Sequence, residues 1–129
     1  HWQDWKQIVL ATPPQEFDLP LADGFDSAGN ASIYWKDQFG IVRVYVAVLK
    51  NSGTITNNEI LGTLPEGFRP KHNFAVVGFG NSNQNNIADR HPINMIISSN
   101  GNITASFLSE TDGTKIASLY GTAEFLPES

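Results

Sequence analysis

The densest run of hydrogen-bonding side chains lies between positions 81 and 91, where Asn83, Gln84, Asn85, Asn86, Asp89, Arg90 and His91 crowd together. Such groups suit a polyhydroxylated ligand. Neighbouring sugar hydroxyls form planar two-point hydrogen bonds with Asn, Asp, Arg and His, while the sugar's C–H faces stack on Trp and Tyr. Trp35 and Tyr120 supply the rings. Asp89, Arg90, His91, Asn86, Trp35 and Tyr120 are therefore the expected saccharide-binding set, with Asp112, Lys115 and Glu124 as further candidates and Arg43 and Tyr45 as candidates for a subunit boundary. A competing explanation for 81–91 is structural, since an Asn-rich loop satisfies turn geometry and solubility unaided.

Other chemistries lack their parts. There is no Gly-x-Ser-x-Gly elbow, no His-Glu-x-x-His pair and no phosphate-cradling glycine loop. Beyond the terminal His1, only His72 and His91 could act as general bases. The chain has no cysteine, which removes thiol catalysis, disulfides and cysteine-based zinc sites together. Asp23-Gly24-Phe25-Asp26 lacks the alternating oxygen ligands of a calcium loop and is expected to be a turn. A net charge of −5 argues against nucleic acid and against anionic lipid. No apolar run approaches the ~18 residues of a membrane helix. The expectation is a binding protein, not an enzyme, with no cofactor, no metal and no membrane insertion.

The elements that must position these groups are strands. At 129 residues and 40% hydrophobic content the chain fits one domain (1–129) with a core of its own. Ala31–Lys36 and Ile41–Lys50 pair about Asp37–Gly40. Val42, Val44, Val46 and Val48 share one face of the second strand, a β-branched stripe suited to a core. The opposite face, Ile41, Arg43, Tyr45, Ala47 and Leu49, is also half apolar, which predicts a cover: sister subunits, or an N-terminal segment of the same chain. His1–Leu10 reads as an edge strand whose Trp2 and Trp5 cap one end. Thr12–Asn30 reads as a connection with one short extended piece near Phe17–Leu21. Tyr34 and Trp35 point to opposite faces, and Trp35 shares parity with Ile33, which directs it to the core.

Further on, Pro65 suits the second position of a type I turn with Gly67 in the fourth, pegged by Leu64 and Phe68. Asn73–Gly80 alternates Phe74 and Val76 against Val77 and Phe79. Asn81–His91 is expected to be a projecting loop. Ile93–Ser99 and Asn102–Leu108 pair across Asn100-Gly101, and Ala117–Leu126 closes the domain after a turn at Thr111–Thr114. Short strands broken about every ten residues describe an all-β antiparallel β-sandwich of jelly-roll type.

The succession of the Tyr34-Trp35-Lys36-Asp37 hairpin, the Val42–Leu49 run, Gly62-Thr63-Leu64-Pro65-Glu66-Gly67-Phe68-Arg69-Pro70, the Ser99-Asn100-Gly101-Asn102 hairpin and a closing aromatic strand resembles a known family. It looks like the C-terminal head domains of receptor-binding and tail-fibre proteins of phages infecting Gram-positive, chiefly lactic-acid, bacteria. The resemblance spans about residues 31–126. It implies the C-terminal part of a longer tail protein that trimerises, sits at the tail tip or baseplate of the virion and binds host cell-wall polysaccharide. It further implies shallow sites where an aromatic is joined by Asp, His and Arg, matched here by residue type in Asp89, Arg90 and His91. A purely structural trimeric baseplate module is the alternative, and a glycan-degrading enzyme a remoter one.

Overall fold

The computed structural model describes residues 14–51, 53–81, 90–106 and 116–128. Its strands are β1 (Phe17–Asp18), β2 (Phe25–Ser27), β3 (Ile33–Lys36), β4 (Val42–Lys50), β5 (Ile60–Thr63), β6 (Phe74–Asn81), β7 (Arg90–Ile97), β8 (Asn102–Ser106) and β9 (Ser118–Phe125). A 3-10 turn at Ala28–Asn30 is the only helical piece among the described residues. All pairings are antiparallel, in the order β1-β3-β4-β9-β6-β7-β8-β5, with β2 on β4.

Two hairpins with the same closure frame this sheet. Asp37 N–H donates to Ile41 O and Gly40 N–H to Asp37 O, both at 2.9 Å, with Gly40 at φ 83°. Ser98 N–H donates to Asn102 O at 2.9 Å and Gly101 N–H to Ser98 O at 2.8 Å, with Gly101 at φ 94°. Each is thus a three-residue loop whose last residue is a left-handed glycine, the type I turn with a following bulge. The Asn100-Gly101 signal locates its hairpin correctly, but only the glycine takes positive φ, so the tight two-residue turn is not formed.

Long pairings form two arms joined by a short one. β4 and β9 run together over eight residues, as do β6 and β7, whereas β9 and β6 share only Phe79↔Tyr120, Gly80↔Leu119 and Asn81↔Ser118. The sheet therefore curls at that junction and brings its inner faces together. Val42, Val44, Val46, Val48, Leu119 and Ala123 form the core with Ile93, Met95, Ile97, Ile103 and Ala105. Each fully buried valine contributes about 1.5–3 kcal/mol. The ends of the strand order also meet: Ala22 N–H donates to Leu61 O at 2.9 Å, and Thr63 N–H to Pro20 O at 3.0 Å.

The central corner is shifted by one residue from expectation. Phe68 N–H donates to Pro65 O at 3.2 Å, so Pro65 occupies the first turn position and Gly67, at φ 88°, the third. Only a glycine-like conformation lets the third position turn this way. The pegs are real: Leu64 is fully buried, and Phe68 packs edge-on to Tyr34 and Phe17. Phe25–Ser27, expected to lie within a connection, is strand β2. Trp2, Trp5 and the turn expected at Thr111–Thr114 lie outside the described residues.

Candidate functional site

Register places the outer-face side chains. Trp35 pairs with Arg43 and Arg43 with Glu124; Ile33 pairs with Tyr45 and Tyr45 with Thr122; Ala47 pairs with Tyr120, Tyr120 with Phe79 and Phe79 with Pro92. Paired residues share a face, and residues diagonal by two lie about 7–8 Å apart. Trp35, Tyr45, Tyr120 and Phe79 consequently make one aromatic stripe running obliquely across β3, β4, β9 and β6.

The well-defined end of the stripe is a platform. The Trp35 and Tyr45 rings meet edge to face, centroids 5.0 Å apart at 81°. Such a contact contributes about 0.5–1.5 kcal/mol beyond burial. Trp35 is half-buried while Tyr45 keeps 45% of its surface exposed. Trp35 thus lies outside the core, contrary to the parity argument. Tyr34 takes the core position because it pairs with Val44 in the valine stripe, and burial raises the pKa of its hydroxyl.

Beside the platform lies a fixed polar cluster. Arg43 Nε and Nη2 donate to Asp37 Oδ2 at 3.3 and 3.2 Å, and Nη1 lies 2.7 Å from Glu124 Oε1. Asp37 Oδ1 accepts the N–H groups of Phe39 at 2.9 Å and Ile41 at 3.0 Å, so the loop itself aims the carboxylate. Desolvation pushes the Asp37 pKa up, but those two N–H groups and Arg43 outweigh it and hold the carboxyl below its usual range. The cluster can accept hydrogen bonds through Glu124 and present an immobilised guanidinium edge. Asp18, which pairs with Ile33, adds an exposed carboxylate on the same face.

The expected binding set is divided by this arrangement. Trp35 and Tyr120 share the outer face. Arg90 and His91 are strand residues of β7, not loop residues, because the β6–β7 ladder extends to Gly80↔His91 and Asn81↔Arg90. His91 falls on the inward register of Gly80 and Ile93, two strands beyond β9. Asp89 and Asn86 fall outside the described residues. Next to these positions, Asn81 Oδ1 and Ser118 Oγ are buried without a hydrogen-bond partner, on neighbouring strands. Among the described residues no three acidic or histidine side chains converge as a metal site.

Sequence reasoning proposed Arg43 and Tyr45 only as boundary residues and did not select Asp37 or Asp18. An available signal was Asp37 itself, since Asp opening a hairpin loop accepts the loop's own N–H groups and freezes in place. No model of a known protein family matches the chain, and no curated protein matches it.

Proposed function

We propose that this chain is the host-recognition head of a phage tail protein, binding cell-wall saccharide reversibly and without catalysis. The observation that carries this reading is the Trp35–Tyr45 platform beside the Asp37–Arg43–Glu124 cluster: a ring face for sugar C–H groups next to groups that pair with hydroxyls. The resemblance through Gly62–Pro70 supports it, as does the division into two arms, which we read as a jelly-roll-like sandwich. Single sites of this openness are weak, since hydroxyls trade water for protein at little net gain. Adhesion at the tail tip or baseplate would come from several copies acting together.

A homotrimer supplies those copies, and the second arm offers a surface for it. Its outward residues Ala75, Val77, Phe79, Pro92, Asn94, Ile96, Thr104 and Ser106 carry no charge, the one charged residue in their register being Arg90 at the end of the β6–β7 ladder, and Val77 and Phe79 are 66% and 52% exposed. That same face favours the alternative of a purely structural trimeric tail module.

Titration of the intact chain with host cell-wall polysaccharide separates the two. Trp35→Ala and Tyr45→Ala are each expected to weaken binding about two- to tenfold, the ratio equivalent to about 0.5–1.5 kcal/mol of ring contact. Absence of binding by any host glycan would favour the structural module. Shortened glycan products after long incubation would favour an enzyme.

A further inference from the structure

Charge on the outer face of the first arm is one-sided. Among the described residues, Asp18 lies on β1, Asp26 on β2 opposite Leu49, Asp37 in the hairpin loop and Glu124 on β9, against the single cation Arg43. Lys36 and Lys50 point elsewhere: Lys36 lies over the Phe68 ring and Lys50 over Phe25, where it pairs with Glu59. Arg43 is already held by two carboxylates, through Nε and Nη2 to Asp37 and through Nη1 to Glu124. The aromatic platform is therefore bordered by acceptors, and the Arg43 guanidinium beside it is already paired with two carboxylates.

Resting on the saccharide reading above, we propose that this platform takes uncharged pyranose units and discriminates against phosphate- or carboxylate-bearing ones. An ionised carboxylate only accepts hydrogen bonds. A sugar hydroxyl has a proton to give to Glu124, so a neutral ring can stack on Tyr45 and donate beside it. A phosphodiester has no proton at neutral pH, so against the same edge acceptor meets acceptor and like charge meets like. To recruit Arg43 an anionic ligand would have to compete with Glu124 and Asp37 for a guanidinium whose charge they already offset. The four carboxylates would also repel it during approach.

The test uses the cell-wall polysaccharides of one host, separated by anion exchange into neutral and anionic pools and titrated against the intact chain by calorimetry. Salt is varied from about 10 mM to about 1 M, where the screening length falls from about 30 Å to about 3 Å. The neutral pool is expected to bind with an affinity that salt changes by less than about twofold, as screening has no net charge to act on. The anionic pool is expected to bind at least about tenfold more weakly at low salt and to gain as screening rises. A combined Asp18→Asn and Glu124→Gln variant should narrow that gap. Tighter binding of the anionic pool that weakens with salt would overturn the selectivity while leaving saccharide recognition standing. Neutral binding untouched by Trp35→Ala and Tyr45→Ala would overturn the platform as its site. No binding by either pool at any salt would remove the saccharide reading itself, and this inference with it.

Discussion

Gly101 and Gly67 allow the central corner to be tested by a matched pair of substitutions. Both glycines have nearly the same backbone, φ 94° and 88°. A Cβ added at Gly67 meets open space, whereas one at Gly101 would lie 2.4 Å from Leu64 O and 2.7 Å from Arg69 Nε. Alanine at positive φ costs about 1–2 kcal/mol, partly offset by about 0.4–1 kcal/mol from the stiffer unfolded chain. Gly67→Ala should therefore cost about 1 kcal/mol. Gly101→Ala carries the same penalty and must also push away the Leu64 carbonyl. That movement strains two hydrogen bonds of 2.8 Å, Leu64 N–H to Gly101 O and Arg69 Nε–H to Leu64 O. At about 0.5–1.5 kcal/mol each, they bring the total to about 2–4 kcal/mol. The assay is urea denaturation followed by tryptophan fluorescence at one fixed protein concentration, since association would shift the midpoint. The Gly101 variant should lose about twice to four times as much stability, with an unchanged dependence on denaturant. Equal losses in the two variants would refute the claim that the β7–β8 loop is seated on the corner.

Three further outcomes follow from other parts of the fold. Burial pushes the Glu59 pKa up, but Lys50 and the Thr56 N–H and hydroxyl outweigh it and leave the carboxyl below its ordinary 4.5. A depressed folded pKa contributes stability above 4.5 that disappears as pH falls through the folded value. Glu59→Gln should thus flatten the acid limb of a stability–pH curve measured by urea denaturation, and an unchanged limb would count against the ion pair. Val77→Asp, at a 66% exposed position of the second arm, should convert the proposed trimer to monomers in sedimentation without unfolding them; an unaltered mass would exclude that face as the contact. Gly121→Ala should cost about 2 kcal/mol or more in the same denaturation assay, because its Cβ would lie 2.7 Å from Met95 Cε in the core; a stability equal to the parent's would show that Met95 has room to move.

What was legible in the sequence was whatever depends on neighbours along the chain. The Val42–Val48 stripe, the loop at Asp37–Gly40 and the Asn100-Gly101 hairpin each follow from local alternation or a turn residue, and each is present. Errors arose where partners across the sheet decide. Trp35 and Ile33 share parity, yet both face outward, because Tyr34 is set against Val44. Arg90 and His91 looked like the end of a loop because the polar run hides the start of β7, and Pro92 suggests a break. The ladder with β6 nonetheless continues through Pro92↔Phe79 to Asn81↔Arg90, beyond the last described β7–β8 pair at Asn94↔Ser106. The platform was invisible for the same reason: Trp35, Arg43 and Glu124 are brought together by pairing across three strands, not by spacing.

Two glycines make the separation of the outer faces possible. Gly78 on β6 and Gly121 on β9 sit beside the three-residue junction; a Cβ on Gly78 would come 2.3 Å from Tyr120 O, and one on Gly121 3.4 Å from Gly78 Cα. Side chains there would hold the strands apart, so the close approach needs glycine on both. Past this point β9 continues with β4 while β6 continues with β7, and Phe74 packs edge-on to Phe125 at 5.5 Å across the divergence. The acidic aromatic face of the first arm and the largely apolar face of the second thereby meet only along the short β9–β6 junction, at Tyr120↔Phe79. A trimer built on the Val77–Phe79 surface would leave the Trp35–Tyr45 platform uncovered on every copy, which is the geometry that multivalent adhesion requires. Packing through Tyr45 instead would bury the platform, so the same sedimentation and binding measurements decide both points: Val77→Asp monomers should still bind a single saccharide unit with the affinity of the parent chain, and lose only the gain that comes from several sites.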